Sequence, residues 1–152
     1  MNNKAIFFLF LSSLFCNAES FKSLSVLEFK EAIALSQNKK AFLENYLEEI
    51  NQLDSEVNSI IATYDSSMMY KSFVYGRNKE WQGVPIIIKD NIDSRGLPNT
   101  AGSLSMLDNF PRRDAHLVSR LKKAGFLVVG KANLSEWANF RVRNSVSGWS
   151  SQ

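Results

Sequence analysis

Two short apolar runs, separated by a turn-rich stretch and one amphipathic segment, constrain the fold of this 152-residue chain more than any other feature. Val84, Ile86, Ile87 and Ile88 are β-branched and bracketed by turn formers, so Val84 to Ile88 reads as a short buried strand. Phe126 to Val129 reads as a second. The segment from Ser94 to Arg113 carries Gly96, Pro98, Gly102 and Pro111 and predicts a loop. Asp114 is suited to cap a helix through Lys123, with Leu117, Val118 and Leu121 on one apolar side. Gly125 closes that helix, as glycine commonly does in the left-handed conformation. Strand, turn, helix, strand is the pattern of α/β architecture.

The first half reads as mostly helical. Ser25-Val-Leu-Glu28 is a capping-box sequence that predicts an amphipathic helix to about Leu35. A second helix is expected from about Lys40 to Leu53, with Phe42, Leu43, Tyr46, Leu47, Ile50 and Leu53 on one stripe. Glu44, Glu48 and Glu49 fall mostly on the opposite side without a histidine, which is the pattern of a solvated face rather than a metal site. Val57 to Tyr64 reads as a short strand, and Ser66 to about Asn78 as a third helix whose Met68 and Met69 fill core space. The sequence shows neither an internal repeat nor a low-complexity linker.

Lys89 ends the first apolar run and is expected in a mostly buried position at the end of the strand formed by Val84 to Ile88. A lysine there is costly unless it is paired, neutral or reaching a cavity. Desolvation can lower a lysine pKa from about 10.4 by several units, which turns an ammonium into a usable base. The ordinary alternative is a lysine that snorkels to solvent from the strand end.

Residues 1–18 have the three-part pattern of a secretory signal peptide: a positive start at Lys4, an apolar stretch from Ala5 to Phe15, and a small-residue site ending at Ala18. The apolar stretch is well short of the ~20 residues that span a bilayer, so no stable membrane anchor is expected. Cys16 raises lipoprotein processing as the alternative, with bulky Phe15 against it. Cleavage after Ala18 would also remove the chain's only cysteine, leaving no intrachain disulfide. A net charge of +3, with its only concentrated basic stretch at Arg141 to Arg143, gives no case for nucleic-acid binding.

Other sites fare worse. Gly125 to Ala132 nearly matches the phosphate-binding pattern G-x-x-x-x-G-K-[ST], but Phe-Leu-Val-Val favours a buried strand over a phosphate-wrapping loop, and Ala132 has no hydroxyl for magnesium. His116 is the only histidine, and its place in a helix's first turn is that of an ordinary surface residue. With no cysteine in the processed chain, any nucleophile would be a serine and its best base a lysine. Ser94, Ser103, Ser105, Ser135, Ser145, Ser147, Ser150 and Ser151 are each more naturally turn or capping residues, and spacing does not choose among them.

From Gly83 onward the chain resembles the amidase-signature family of serine amide hydrolases. The resemblance runs through Gly83-Val-Pro-Ile-Ile-Ile-Lys-Asp-Asn-Ile-Asp93, Thr100-Ala-Gly-Ser103 and Asp114-Ala-His-Leu-Val-Ser-Arg-Leu121. It continues through Gly125-Phe-Leu-Val-Val-Gly-Lys-Ala-Asn-Leu-Ser-Glu-Trp-Ala138 and ends with Gly148-Trp-Ser-Ser-Gln152. Asn99 stands where a second threonine is frequent, and Ala132 where threonine is usual.

The resemblance implies a Ser–cis-Ser–Lys triad with Lys89 at the position of its lysine. The neutral lysine would relay a proton through a bridging serine to activate a nucleophilic serine. Attack on an amide carbonyl would then form an acyl-enzyme, release ammonia or an amine, and end in hydrolysis. The family's serine-rich signature, which carries both serines, lies downstream of the block ending at Gln152, so Ser150 and Ser151 are not assigned to the triad.

The expected organisation is a signal peptide (1–18), a helical lead-in with one strand (19–82), and the first, incomplete part of the amidase-signature domain (83–152). The expected fold class is α/β: N-terminal helices followed by part of a mixed sheet with flanking helices. The expected protein is the N-terminal part of a secreted or periplasmic hydrolase of carboxamide C–N bonds in a small-molecule or peptide amide. It would use neither metal nor organic cofactor and be inactive without the missing serines. The rival readings are a relative of the A-type subunits of amidotransferases, which a secretion signal argues against, and a non-catalytic remnant or binding fragment.

Overall fold

The computed structural model describes residues 20–139, and within them an α/β fold. The leader, Cys16, the basic stretch at Arg141 to Arg143 and the block from Gly148 lie outside the described residues. The described helices are α1 (Val26–Leu35), α2 (Lys39–Asp54), α3 (Ser66–Tyr75) and α4 (His116–Ala124). The strands are β1 (Ile60–Thr63), β2 (Pro85–Lys89) and β3 (Leu127–Ala132). They form one mixed sheet in the order β1-β3-β2, with β3 antiparallel to β1 and parallel to β2. The parallel pair is joined through the long loop and α4, as a parallel crossover requires.

Local chemistry accounts for most boundaries. Ser25 accepts from the Glu28 backbone N–H at 3.3 Å while Glu28 accepts from the Ser25 N–H at 2.7 Å, so both limbs of the capping box are made. The Asn38 and Asp65 side chains cap α2 and α3 in the same way, each such cap being worth about 1 kcal/mol. Gly125 ends α4 at a φ of 104° that a side chain rarely tolerates.

Asp114 departs from expectation. It lies outside α4, whose N-cap is Ala115 with no side-chain cap. Its carboxylate instead accepts from the Arg95 backbone N–H at 2.8 Å and pairs with Lys122 at 2.8 Å, tying the loop to the last turn of α4. Leu117 is exposed, so only Val118 and the half-buried Leu121 form the apolar side. Strand β3 runs three residues past the expected Val129, taking in Gly130, Lys131 and Ala132. An extended Gly130-Lys131 cannot wrap a phosphate, in agreement with the rejection of a nucleotide loop.

One apolar core joins the helical half to the sheet. Phe29, Ile33, Phe42, Leu43 and Leu47 from α1 and α2 are continuous with Met69 and Phe73 from α3 and with Ile88, Leu127, Val128 and Val129 from the sheet. Phe21 enters the same cluster, edge-on to Phe42 and Tyr46, with ring centroids 5.1 and 5.4 Å away. Aromatic pairs of this geometry contribute about 0.5–1.5 kcal/mol each beyond their buried area.

Candidate active site

The carboxyl ends of the parallel strands β2 and β3 lie side by side and carry the chemistry-bearing residues. Binding sites of open α/β sheets form at this edge. In register, Ile88 faces Lys131 and Lys89 faces Ala132. Side chains alternate across a strand, so Ile88 and Lys131 share one face and Lys89 and Ala132 share the other. The loop from Asp90 to Ser103 lies against Lys131, whose ammonium reaches its backbone, and both Ile88 and Lys131 are buried.

Lys89 is exposed, which corrects the expectation of a mostly buried lysine. Alternation puts Lys89 on the face opposite to Ile88, and at β2 that face is exposed. Ile87, two residues earlier on the same face, is exposed as well. Lys89 is nonetheless held in strand geometry at the last position of β2, not in a loop.

The lysine that does sit buried is Lys131, with no exposed surface, beside Asp90, which has none either. Their charged atoms lie 3.5 Å apart. The Lys131 ammonium donates to the backbone carbonyls of Ile92 at 2.7 Å and Pro98 at 3.0 Å. Asp90 Oδ2 accepts from the Thr100 hydroxyl, from the Thr100 N–H at 3.0 Å and from the Gly102 N–H at 3.4 Å. Asp90 Oδ1 has no hydrogen-bond donor among the described residues, so the Lys131 charge is what compensates it. Desolvation pushes the Lys131 ammonium below its ordinary pKa, against the opposing attraction of Asp90.

The loop over this pair is closed by further polar contacts. The Asn99 N–H donates to the Asn109 carbonyl at 2.9 Å, the Asn109 amide donates back at 2.8 Å, and the Asn99 side chain bonds Asp93. Ser103 Oγ donates to Glu136 Oε1 at 2.6 Å, linking the loop to the segment that follows β3. Ser94 is buried beside the Tyr64 hydroxyl, and Ser135 donates to the Asn139 carbonyl. These serines serve the structural roles that turn residues ordinarily have. Ser145, Ser147, Ser150 and Ser151 lie outside the described residues. His116 is exposed at the start of α4. Among the described residues, no group of three or more histidine, cysteine, aspartate or glutamate side chains could hold a metal ion, and no helix is long and apolar enough to cross a membrane.

The Lys131–Asp90 pair and the Ser103–Glu136 bond went unassigned in the sequence. Lys131 carried a usable signal, since Leu-Val-Val-Gly-Lys ends an apolar strand just as Ile-Ile-Ile-Lys does.

Comparison with known proteins gives this edge a family context. The model of the Amidase family matches residues 41–148. A probable amidase of Arabidopsis thaliana is 34% identical over 123 residues, covering 74% of this chain and 24% of the relative. The A-type subunit of the glutamyl-tRNA(Gln) amidotransferase of Methanococcoides burtonii is 38% identical over 122 residues, covering 77% of this chain and 24% of that relative. Among solved structures, the native peptide amidase of Stenotrophomonas maltophilia superposes with a TM-score of 0.67 at 33% identity, covering 84% of this chain and 28% of that one. An amidase family protein of Bacillus anthracis superposes at 0.69 with 28% identity, over 84% of this chain and 27% of that one. The chain thus spans about a quarter of the length of the relatives it matches. With a family match across most of its length and an α/β fold shared with solved amidases, this chain belongs to the amidase family.

Proposed function

We propose that this chain is the N-terminal part of a serine amidase that hydrolyses carboxamide C–N bonds, with Lys89 as the base of its catalytic relay. The observation that carries the reading is Lys89 at the last position of β2, on the carboxyl edge of the parallel pair, in a chain that matches the amidase family on both sides of it. The substrate is a small-molecule or peptide amide. A peptide amidase among the structural relatives supports this class, and amidotransferase components among the sequence relatives keep a glutamine-handling role as the second reading.

In the full-length enzyme, meaning a product that carries this chain together with the rest of the family's length, the remaining protein covers the Lys89 face. That cover desolvates the ammonium and brings the two serines to it. Oxyanion stabilisation would come from backbone N–H groups near the nucleophile. The 152-residue chain alone therefore lacks activity.

The deciding experiment compares the full-length enzyme with the chain alone on a panel of carboxamides, measuring ammonia release and seeking a serine-bound acyl intermediate by mass spectrometry. Ammonia and an acyl adduct from the full-length enzyme only are expected. A full-length product that folds but neither hydrolyses any amide nor acylates would support the non-catalytic remnant instead.

We further propose that the protein is exported, on the strength of the leader pattern in residues 1–18. The expected mature chain begins at Glu19. An intact Met1 start in the cytoplasm would contradict this, and a lipid on Cys16 would establish lipoprotein processing.

A further inference from the structure

The Lys131–Asp90 pair has no part in the proton relay, yet it is the most deeply buried charge in the described chain and adjoins Lys89 directly. We propose that Lys131 and Asp90 are positioning residues: together they lock the loop from Asp90 to Gly102 across the strand ends and thereby fix the direction in which Lys89 projects. The inference rests on the reading of Lys89 as the base.

Asp90 is bonded in sequence to Lys89, and its N–H donates to the Ala132 carbonyl at 2.9 Å, extending the β2–β3 ladder one step beyond Lys89. Its carboxylate reaches across to Thr100 and Gly102, the far limb of the loop. Lys131 holds the same loop from beneath at Ile92 and Pro98, one point on each limb. The two side chains, their charged atoms 3.5 Å apart, therefore tie both limbs of the loop to one buried point, and Asp90 is the residue that links Lys89 to it. Rotating it would strand a buried carboxylate and pull Lys89 with it.

Energetics favour a positioning role over a simple stabilising one. A buried ion pair carries a desolvation cost that often equals or exceeds its attraction, so well-packed apolar side chains would hold a loop at least as firmly. What apolar contacts do not supply is direction. Hydrogen bonds from one ammonium to two named carbonyls, and from three donors to one carboxylate, admit one loop geometry. A base must meet its partner within hydrogen-bond reach, and a displacement of about 1 Å can reduce turnover by about a hundredfold.

The test uses the full-length enzyme and a carboxamide it hydrolyses. Asp90→Asn/Lys131→Met removes both charges together, so neither is left buried alone. Thr100→Val keeps both charges and removes one donor to Asp90. Thermal melts establish folding, and kcat and KM are measured separately. For the folded double variant, kcat should fall by about tenfold to a hundredfold with KM within about twofold of the original, because the relay acts on the transition state rather than on binding. Thr100→Val should lower kcat in the same direction by a smaller factor.

A folded double variant with unchanged kcat would overturn the proposal, as would a loss confined to KM. Should the double variant fail to fold, unchanged kcat in Thr100→Val would overturn it. Failure of the underlying reading looks different: Lys89→Ala would then retain activity whatever the pair does.

Discussion

Lys89 ends β2 and Lys131 lies one residue short of the end of β3, yet the two meet opposite environments, and a one-residue offset in register separates them. Each follows an apolar run, so each could be recognised as a lysine that had to be paired or outward-facing. Which is which depends on the β2–β3 register and on the loop that folds over one face, and neither is written in local residue patterns. Glu49 makes the same point on α2. Its side of the helix read as solvated, but the Ser20 hydroxyl and the backbone N–H groups of Phe21 and Lys22 all donate to it, at 2.9 Å from Phe21 and 3.2 Å from Lys22. Burial disfavours the Glu49 charge, but these hydrogen bonds with the Lys22 charge outweigh it and hold the carboxyl below its ordinary 4.5. A carboxylate depressed in this way contributes stability that is complete above the unfolded value and is lost as pH falls through the lower folded one. Melting temperatures of the full-length enzyme and its Glu49→Gln variant should therefore differ at neutral pH and converge as pH drops below 4.5. A gap that stays constant into strong acid would contradict the assignment.

At the scale of elements, local chemistry wrote most of what was legible. The Ser25–Glu28 capping box, the stripe of Phe42, Leu43 and Leu47, and the left-handed Gly125 each act within one or two turns, and each formed as the sequence implied. Asp114 did not, because tertiary partners at Arg95 and Lys122 compete for a carboxylate that could have capped α4. Gly130 is a further tertiary feature. A Cβ there would lie 2.4 Å from the Ala62 carbonyl oxygen, so glycine is what lets β1 approach β3. Gly130→Ala must push the strands apart, and a loss of about 1–3 kcal/mol is expected from overpacking of this kind. Denaturant titration of the full-length enzyme reads it directly, and an unchanged midpoint would show that β1 is free to shift.

The edge formed by the carboxyl ends of β2 and β3 belongs to a chain that spans about a quarter of its relatives' length. Leu104, Leu107 and Phe110 on the long loop, and Trp137 beyond β3, are exposed alongside Ile87 and Lys89. Exposed apolar side chains invite association, and a stability margin of ~5–15 kcal/mol leaves little to oppose it. The 152-residue chain alone is accordingly expected to melt broadly or aggregate, and a sharp, reversible thermal transition would contradict that. The central claim concerns Lys89, and its most direct test is ammonia release by the full-length enzyme carrying Lys89→Ala. A thermal melt establishes first that the variant folds. Its kcat/KM should fall by at least the ~10²- to 10⁴-fold that a positioned proton-transfer group supplies. A folded Lys89→Ala enzyme that releases ammonia at the unaltered rate would remove Lys89 from the mechanism.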